Sequence, residues 1–129
     1  MIVLDTHVWI WWVSEPDRLS SGAHATITNA RQVGICPISI WEISTKEAKG
    51  RLSLDRDLDV WVHQAVARPG AVLLELSPEI AILAGQLGER GFHGDPADRM
   101  IAASAMCHGV ELVTKDQAIR DFDGVRTVW

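Results

Sequence analysis

The sequence predicts an α/β fold: a three-layer α/β/α sandwich around a mainly parallel sheet of four or five strands. Three observations predict it. Short apolar runs alternate with helical stretches along the 129 residues. Runs such as "MIVL" and "VGIC" are apolar throughout, as strands buried on both faces are. Acids stand just after several of the runs, and in such sheets ligand sites form beyond the carboxyl ends of the strands.

"MIVLD" (1–5) reads as a buried strand ending in an acid. "THVWIWWV" (6–13) reads as a helix that Thr6 can cap and Pro16 stops. A loop at 14–22 precedes a helix over 22–32. "VGICPIS" (33–39) is a second strand, closed by Pro37. "SIWEISTKEAKG" (39–50) is a helix with Ser39 and Glu42 as a capping box and Gly50 at its C-cap. A helix over 54–70 ends at Pro69-Gly70, and "AVLLEL" (71–76) is a third strand. Ser77 and Pro78 open a helix that runs to Gly91. After the loop "GFHGDP", residues 95–108 form another helix. "ELVT" (111–114) is a fourth strand, 116–122 a short helix and "VRTVW" (125–129) a last strand.

Composition bounds the function. Residues 1–129 suit a single domain, with 47% hydrophobic and 22% charged residues and no linker or repeat. The apolar N-terminus is broken by Asp5 and His7 and is too short to span a bilayer. Cys36 and Cys107 have neither CxxC nor metal-ligand spacing. Reduced thiols in a cytoplasmic protein that does not engage membranes are therefore expected. The net charge of −5 argues against a nucleic-acid binder held by its own charge alone. A bound cation alters that balance: committing four acids to it leaves 13 acids against 12 bases.

Four acids fall just after strands or at helix starts: Asp5, Glu42, Asp98 and Asp116. Each has a plain structural explanation as a cap or a charge in a first helical turn, worth about 1 kcal/mol. Together they mean more. Carboxylates gathered within about 5 Å repel by about 3 kcal/mol per pair at an effective dielectric near 20. They must then protonate or share a cation. Oxygen-only ligands select a hard divalent ion, Mg²⁺ or alternatively Mn²⁺, and such a site suits phosphodiester hydrolysis.

The segments "MIVLDTHVWIWW", "ISIWEIS", "GDPADRMIAASA" and "LVTKDQAI" resemble, in order, the four signature blocks of the PIN-domain family. Within it they look most like VapC-type toxins of bacterial type II toxin–antitoxin pairs. The resemblance implies a PIN-like sandwich and a metal-dependent endoribonuclease acting on an RNA substrate. It also implies a homodimer inhibited by a small cognate antitoxin. Its catalytic and metal-binding acids carry over to Asp5, Glu42, Asp98 and Asp116, with Thr114 beside the last. Asp121, several residues after that threonine, is the alternative fourth acid; Asp116 is preferred because it directly leaves the strand end.

Other residues support this set. Asp95 is an N-cap beneath Asp98 or an outer ligand, and Arg99 contacts a substrate phosphate or pairs with an acid. Thr6 and Ser39 are caps or hydroxyl donors to the acids. Lys46 and Lys49 share a helical face with Glu42 and line either an RNA groove or solvent. His7 is a ligand favouring Mn²⁺ or packs against its helix; the other histidines form no zinc spacing. The six tryptophans serve the core or an interface more readily than base stacking. The rival functions are a non-catalytic binding module and a phosphoacceptor receiver-like domain. The receiver requires a paired acid after the first strand and an aspartate after the third, where this chain has "LLELSPE".

Overall fold

The computed structural model describes residues 1–129. Five parallel strands form one sheet in the order β3-β2-β1-β4-β5: β1 (Ile2–Leu4), β2 (Val33–Ile35), β3 (Ala71–Leu73), β4 (Leu112–Val113) and β5 (Thr127–Val128). Between β1 and β2 lie α1 (Thr6–Ser14), a 3₁₀ turn (Pro16–Arg18) and α2 (Ser21–Asn29). Between β2 and β3 lie α3 (Pro37–Ala48) and α4 (Leu58–Val66). The crossover to β4 carries α5 (Pro78–Gln86), a 3₁₀ turn (Leu87–Arg90) and α6 (Pro96–His108). A four-residue α7 (Gln117–Arg120) joins β4 to β5.

The strand order explains the layers. Crossovers between parallel strands are right-handed. The chain steps one way from β1 to β3, then jumps back across β1 to β4 and β5, so the two sets of helices cover opposite faces. Side chains alternate along each strand accordingly. Ile2, Leu4 and Val113 join Val8, Trp9, Ile27, Ile43 and Trp61 in one buried cluster. Val3 and Leu112 join Ile80, Leu87, Ile101, Ala102 and Ile119 in the other. Each fully buried aliphatic side chain contributes about 1.5–3 kcal/mol. The small residues of α6 are there for packing: Ala97, Ala102, Ala103, Ser104 and Ala105 are all buried, as is Ile101 among them.

Trp9 and Trp61 are fully buried, their rings 5.0 Å apart and edge-to-face at 67°. Trp61 Nε1 donates to Ser14 Oγ at 2.8 Å. These two are core residues. Trp12 is half-buried beneath the guanidinium of Arg68, 4.5 Å from its ring centre. Both cysteines are free thiols, Cys36 buried and Cys107 exposed. No helix is long and apolar enough to cross a membrane.

Local expectations need correction at several ends. The N-cap of α1 is Asp5, whose carboxylate accepts from the Thr6 amide, so Thr6 is the first helical residue rather than the cap. Pro37 opens α3 instead of closing β2, because its fixed φ suits a first helical position. Cys36 becomes the cap, and the capping box expected of Ser39 and Glu42 does not form. The helix α2 starts one residue early, capped by Ser20. The helix α4 begins at Leu58 rather than 54 and ends at Val66, and β3 is half the expected length. The sheet order also excludes the receiver-like alternative. That architecture sets its third strand beside the first, whereas β3 here is an edge strand beyond β2.

Candidate active site

The chain's direction of travel reverses between β1 and β4, and the crevice beyond the carboxyl ends of these neighbouring strands is where such sheets build sites. Asp5 leaves β1 there and is 3% exposed. Its Oδ1 accepts from the Thr6 amide at 2.8 Å, and its Oδ2 accepts from the buried hydroxyl of Thr114 at 2.6 Å. Thr114 in turn accepts from the Asp116 amide at 3.0 Å. One threonine thus ties the ends of β1 and β4 together.

Thr6 does the same toward α3. Its Oγ1 lies 2.5 Å from Glu42 Oε1 and 2.9 Å from Ser39 Oγ. A hydroxyl has one proton, which the carboxylate claims, so the serine supplies the proton of the other contact. Glu42 Oε2 is 3.5 Å from Lys46 Nζ, one helical turn further on. Thr6 therefore donates to Glu42, Ser39 reaches the acids only through Thr6, and neither hydroxyl caps a helix.

Asp98 enters from α6. Asp95 caps this helix, its Oδ1 accepting from the amides of Ala97 at 2.9 Å and Asp98 at 3.3 Å. Asp116 caps α7 alike, accepting from Ala118 at 2.8 Å and Ile119 at 3.3 Å. In both caps the second carboxylate oxygen makes no hydrogen bond. Burial and, after it, the negative charges of Asp5, Asp95, Glu42 and Asp116 push the Asp98 carboxyl up to about 8. The four sequence-chosen acids and Asp95 thus share one electrostatic environment. Asp121, the alternative fourth acid, is exposed, accepts from Gln117 Nε2 at 2.7 Å and has no part in raising Asp98.

Convergence is looser than the sequence suggested. No three histidine, cysteine or carboxylate groups stand together as one coordinating set. Repulsion among the acids favours separation, and local bonds hold several of them in place. Glu42 is drawn to Thr6 and Lys46, and Asp95 and Asp116 are bound to their own helix ends. The pocket nevertheless suits a hard divalent ion. Its donors are carboxylate oxygens, no lysine or arginine pairs with Asp5 or Asp98, and burial together with the neighbouring acids raises the Asp98 carboxyl, a strain that a bound cation relieves.

Arg99 is not among these groups. Its Nε donates to the His93 carbonyl at 2.8 Å and its guanidinium lies against Gly88, so it pairs with no acid. His7 sits at the rim, with Nδ1 3.5 Å from Asp5 Oδ2, Nε2 accepting from the Lys115 amide at 3.4 Å, and its ring against Trp11.

Sequence reasoning missed His93. Its Nδ1 accepts from the Asp95 amide at 3.3 Å, which leaves the proton on Nε2. That buried Nε2 lies 3.2 Å from Asp98 Oδ2, out of line for a hydrogen bond. The signal was available in the short loop between Gly91 and Pro96. Gly91, at φ 89°, turns the chain back so that the Phe92 amide bonds Leu87 and Phe92 is buried, which leaves His93 beside the start of α6.

Residues 2–125 match the family model described as the PIN domain. The chain is 37% identical over 130 residues to Ribonuclease VapC22 of Mycobacterium tuberculosis (strain ATCC 25618 / H37Rv), covering 99% of this chain and 98% of that one. Among solved structures, VapBC2 from Rickettsia felis, bound to a DNA fragment from its promoter, superposes with a TM-score of 0.70 at 15% identity, covering 98% of this chain and 97% of that one. DNA-bound VapBC from Salmonella typhimurium gives 0.69 at 24%, covering 98% and 95%. A toxin–antitoxin complex from Klebsiella pneumoniae gives 0.66 at 20%, covering 97% and 95%. These likenesses establish a common fold.

Proposed function

The chain belongs to the PIN-domain family, and on that footing we propose that it is an endoribonuclease toxin. It cleaves RNA phosphodiester bonds with a divalent cation and is neutralised by a small antitoxin protein. The observation that carries this reading is Asp98. A half-buried carboxyl, raised first by burial and then by four neighbouring acids, is a poor stability device and a good receptor for a doubly charged ion. The 37% identity to a ribonuclease over nearly the whole chain supports RNA as the substrate class.

Asp5 and Asp98 would hold Mg²⁺, or Mn²⁺, with Glu42 and the free oxygen of Asp116 completing the set. When bound, the ion supplies Lewis acidity and an activated water. The chain's own residues orient the donors. Thr114 and the Thr6 amide lock both oxygens of Asp5, so the carboxylate cannot rotate away. The Thr6 hydroxyl holds Glu42 on the site side of α3. Asp95 and Asp116 cap the helices that deliver Asp98 and carry the β4 loop. Lys46, beside Glu42, and Lys115, next to Asp116, bring positive charge to a site whose substrate is a polyanion. A homodimer in the cytoplasm is part of the same reading.

Sequencing RNA ends after brief expression tests it. Wild type should produce new ends carrying 5′-phosphates, and Asp5→Ala should produce none. Purified Asp98→Ala, folded by circular dichroism, should lose Mg²⁺-dependent cleavage by about 100- to 1,000-fold, the scale on which electrostatic stabilisation acts. Undiminished cleavage by that variant would refute the assignment.

A further inference from the structure

Beside Glu42 and Asp95 lies a cavity of about 240 Å³ whose walls include Trp41, Thr45, Lys46, Lys49 and Arg51. Trp41 is 58% exposed, whereas Trp9 and Trp61 are fully buried. Lys49 and Arg51 form no ion pair, and Lys46 leans on Glu42. In a chain of net charge −5, an open indole and two unpaired cations therefore share one cavity wall with Glu42 and Asp95, two of the acids that act on Asp98.

The positions are built rather than incidental. Trp41 and Thr45 are one helical turn apart on α3, and Trp41 immediately precedes Glu42. The helix then ends in a left-handed residue, Gly50, at φ 70°. The Gly50 amide bonds Glu47, and the Arg51 amide bonds Lys46. This pair of reversed bonds folds the chain back over the helix end. Arg51 is thereby returned to the wall that carries Lys46 and Lys49.

We propose that this cavity is a nucleotide subsite of the RNA track, binding the residue next to the scissile phosphate. Its base stacks on Trp41, and its backbone phosphates contact Lys49 and Arg51. The inference rests on the proposed RNA-cleaving role and deepens it by naming where the strand lies. Stacking on an aromatic face tolerates any base, and lysine and arginine read only the backbone, so the subsite fixes direction and register rather than sequence. Single-stranded RNA is the ligand favoured, because paired bases do not offer a free face to an indole.

The test uses a fluorescein-labelled single-stranded RNA of about twelve nucleotides, long enough to span such a site. Anisotropy in EDTA reads binding, and cleavage in Mg²⁺ reads KM and kcat. Trp41→Ala should weaken binding about tenfold or more, raise KM by the same factor and change kcat little. Trp41→Phe should recover most of the loss. Lys49→Gln with Arg51→Gln should lower the salt slope of log K by about 1.4, at 0.7 per phosphate contact. Variants that bind and cleave this RNA as wild type does would overturn the subsite and leave the nuclease reading intact. Variants that bind RNA normally but escape a small protein inhibiting the wild type would also overturn it, assigning the cavity to protein contact. Wild type that binds RNA through Trp41 yet cleaves none would end the nuclease reading and overturn the placement beside a scissile phosphate, leaving an RNA-binding cavity alone.

Discussion

The hydroxyl of Thr114 donates to Asp5 Oδ2 at 2.6 Å, joining two residues 109 apart in the chain. Both are buried, Thr114 completely. A buried hydrogen bond to a charged group contributes about 1.5–3 kcal/mol, and breaking one side leaves the carboxylate uncompensated. Thr114→Val should therefore destabilise the protein by about 1–3 kcal/mol in urea denaturation. It should also weaken divalent-ion affinity about 10- to 100-fold in calorimetry, as loss of a ligand's supporting partner does. Thr114→Ser keeps the donor and should remain near wild type on both measures.

Thr6 is the corresponding anchor for Glu42. Thr6→Val keeps shape and removes the proton donor, which releases Glu42 and strips Ser39 of its acceptor. Cleavage should fall about tenfold or more through misplacement of the carboxylate, while α1 stays formed because its cap is Asp5. Thr6→Ser should restore most of the rate. Equal rates for wild type and Thr6→Val would show that Glu42 needs no such anchor.

Asp98 gives a pH dependence with a definite sign. Its carboxyl stands at about 8 in the folded protein against 3.8 as a model group, so between these values the folded state binds more protons than the unfolded state. Stability of the ion-free protein therefore falls as pH rises from about 4 to 8 and levels off above that. Allowing for solvent screening of this partly exposed side chain, the loss is about 1–2 kcal/mol. Thermal melts in EDTA should show a lower Tm at pH 8.5 than at pH 5, and Asp98→Asn should flatten that difference. Added Mg²⁺ should raise the wild-type Tm at pH 8.5 and leave Asp98→Asn nearly unmoved.

The thiols should separate cleanly. Burial pushes the Cys36 thiol up to about 11, whereas Cys107 is exposed. Thiolate is the reactive form. Ellman's reagent at pH 8 should titrate one cysteine in the native protein and two in guanidinium. Reaction of both without denaturant would show that the cap of α3 opens readily.

Much of this architecture was legible locally. Apolar runs gave the five strands, and Pro78, Gly91, Asp95 and Pro96 marked helix ends where caps must fall. The order of acids after strands pointed to one edge of the sheet, and Asp98 does feel the other three. Errors came where two local rules competed. Ser39 and Glu42 have capping-box spacing, but Pro37 two residues earlier had already begun the helix. Their side chains then went to Thr6, a partner more than thirty residues away. Arg99 follows Asp98 in sequence, yet the helical turn sends it to the His93 carbonyl and Gly88 instead.

The sequence by itself determined where strands and helices occur, because periodicity, prolines and caps act over a few residues. It also determined which acids stand after strands, since that is a matter of position along the chain. Tertiary structure alone decided that β1 lies beside β4, that Thr6 and Thr114 bond acids across strands, and that His93 faces Asp98. It also decided how far apart the acids rest. Repulsion and hydrogen bonding act through space between segments that only the folded sheet brings together, and no local pattern encodes that balance.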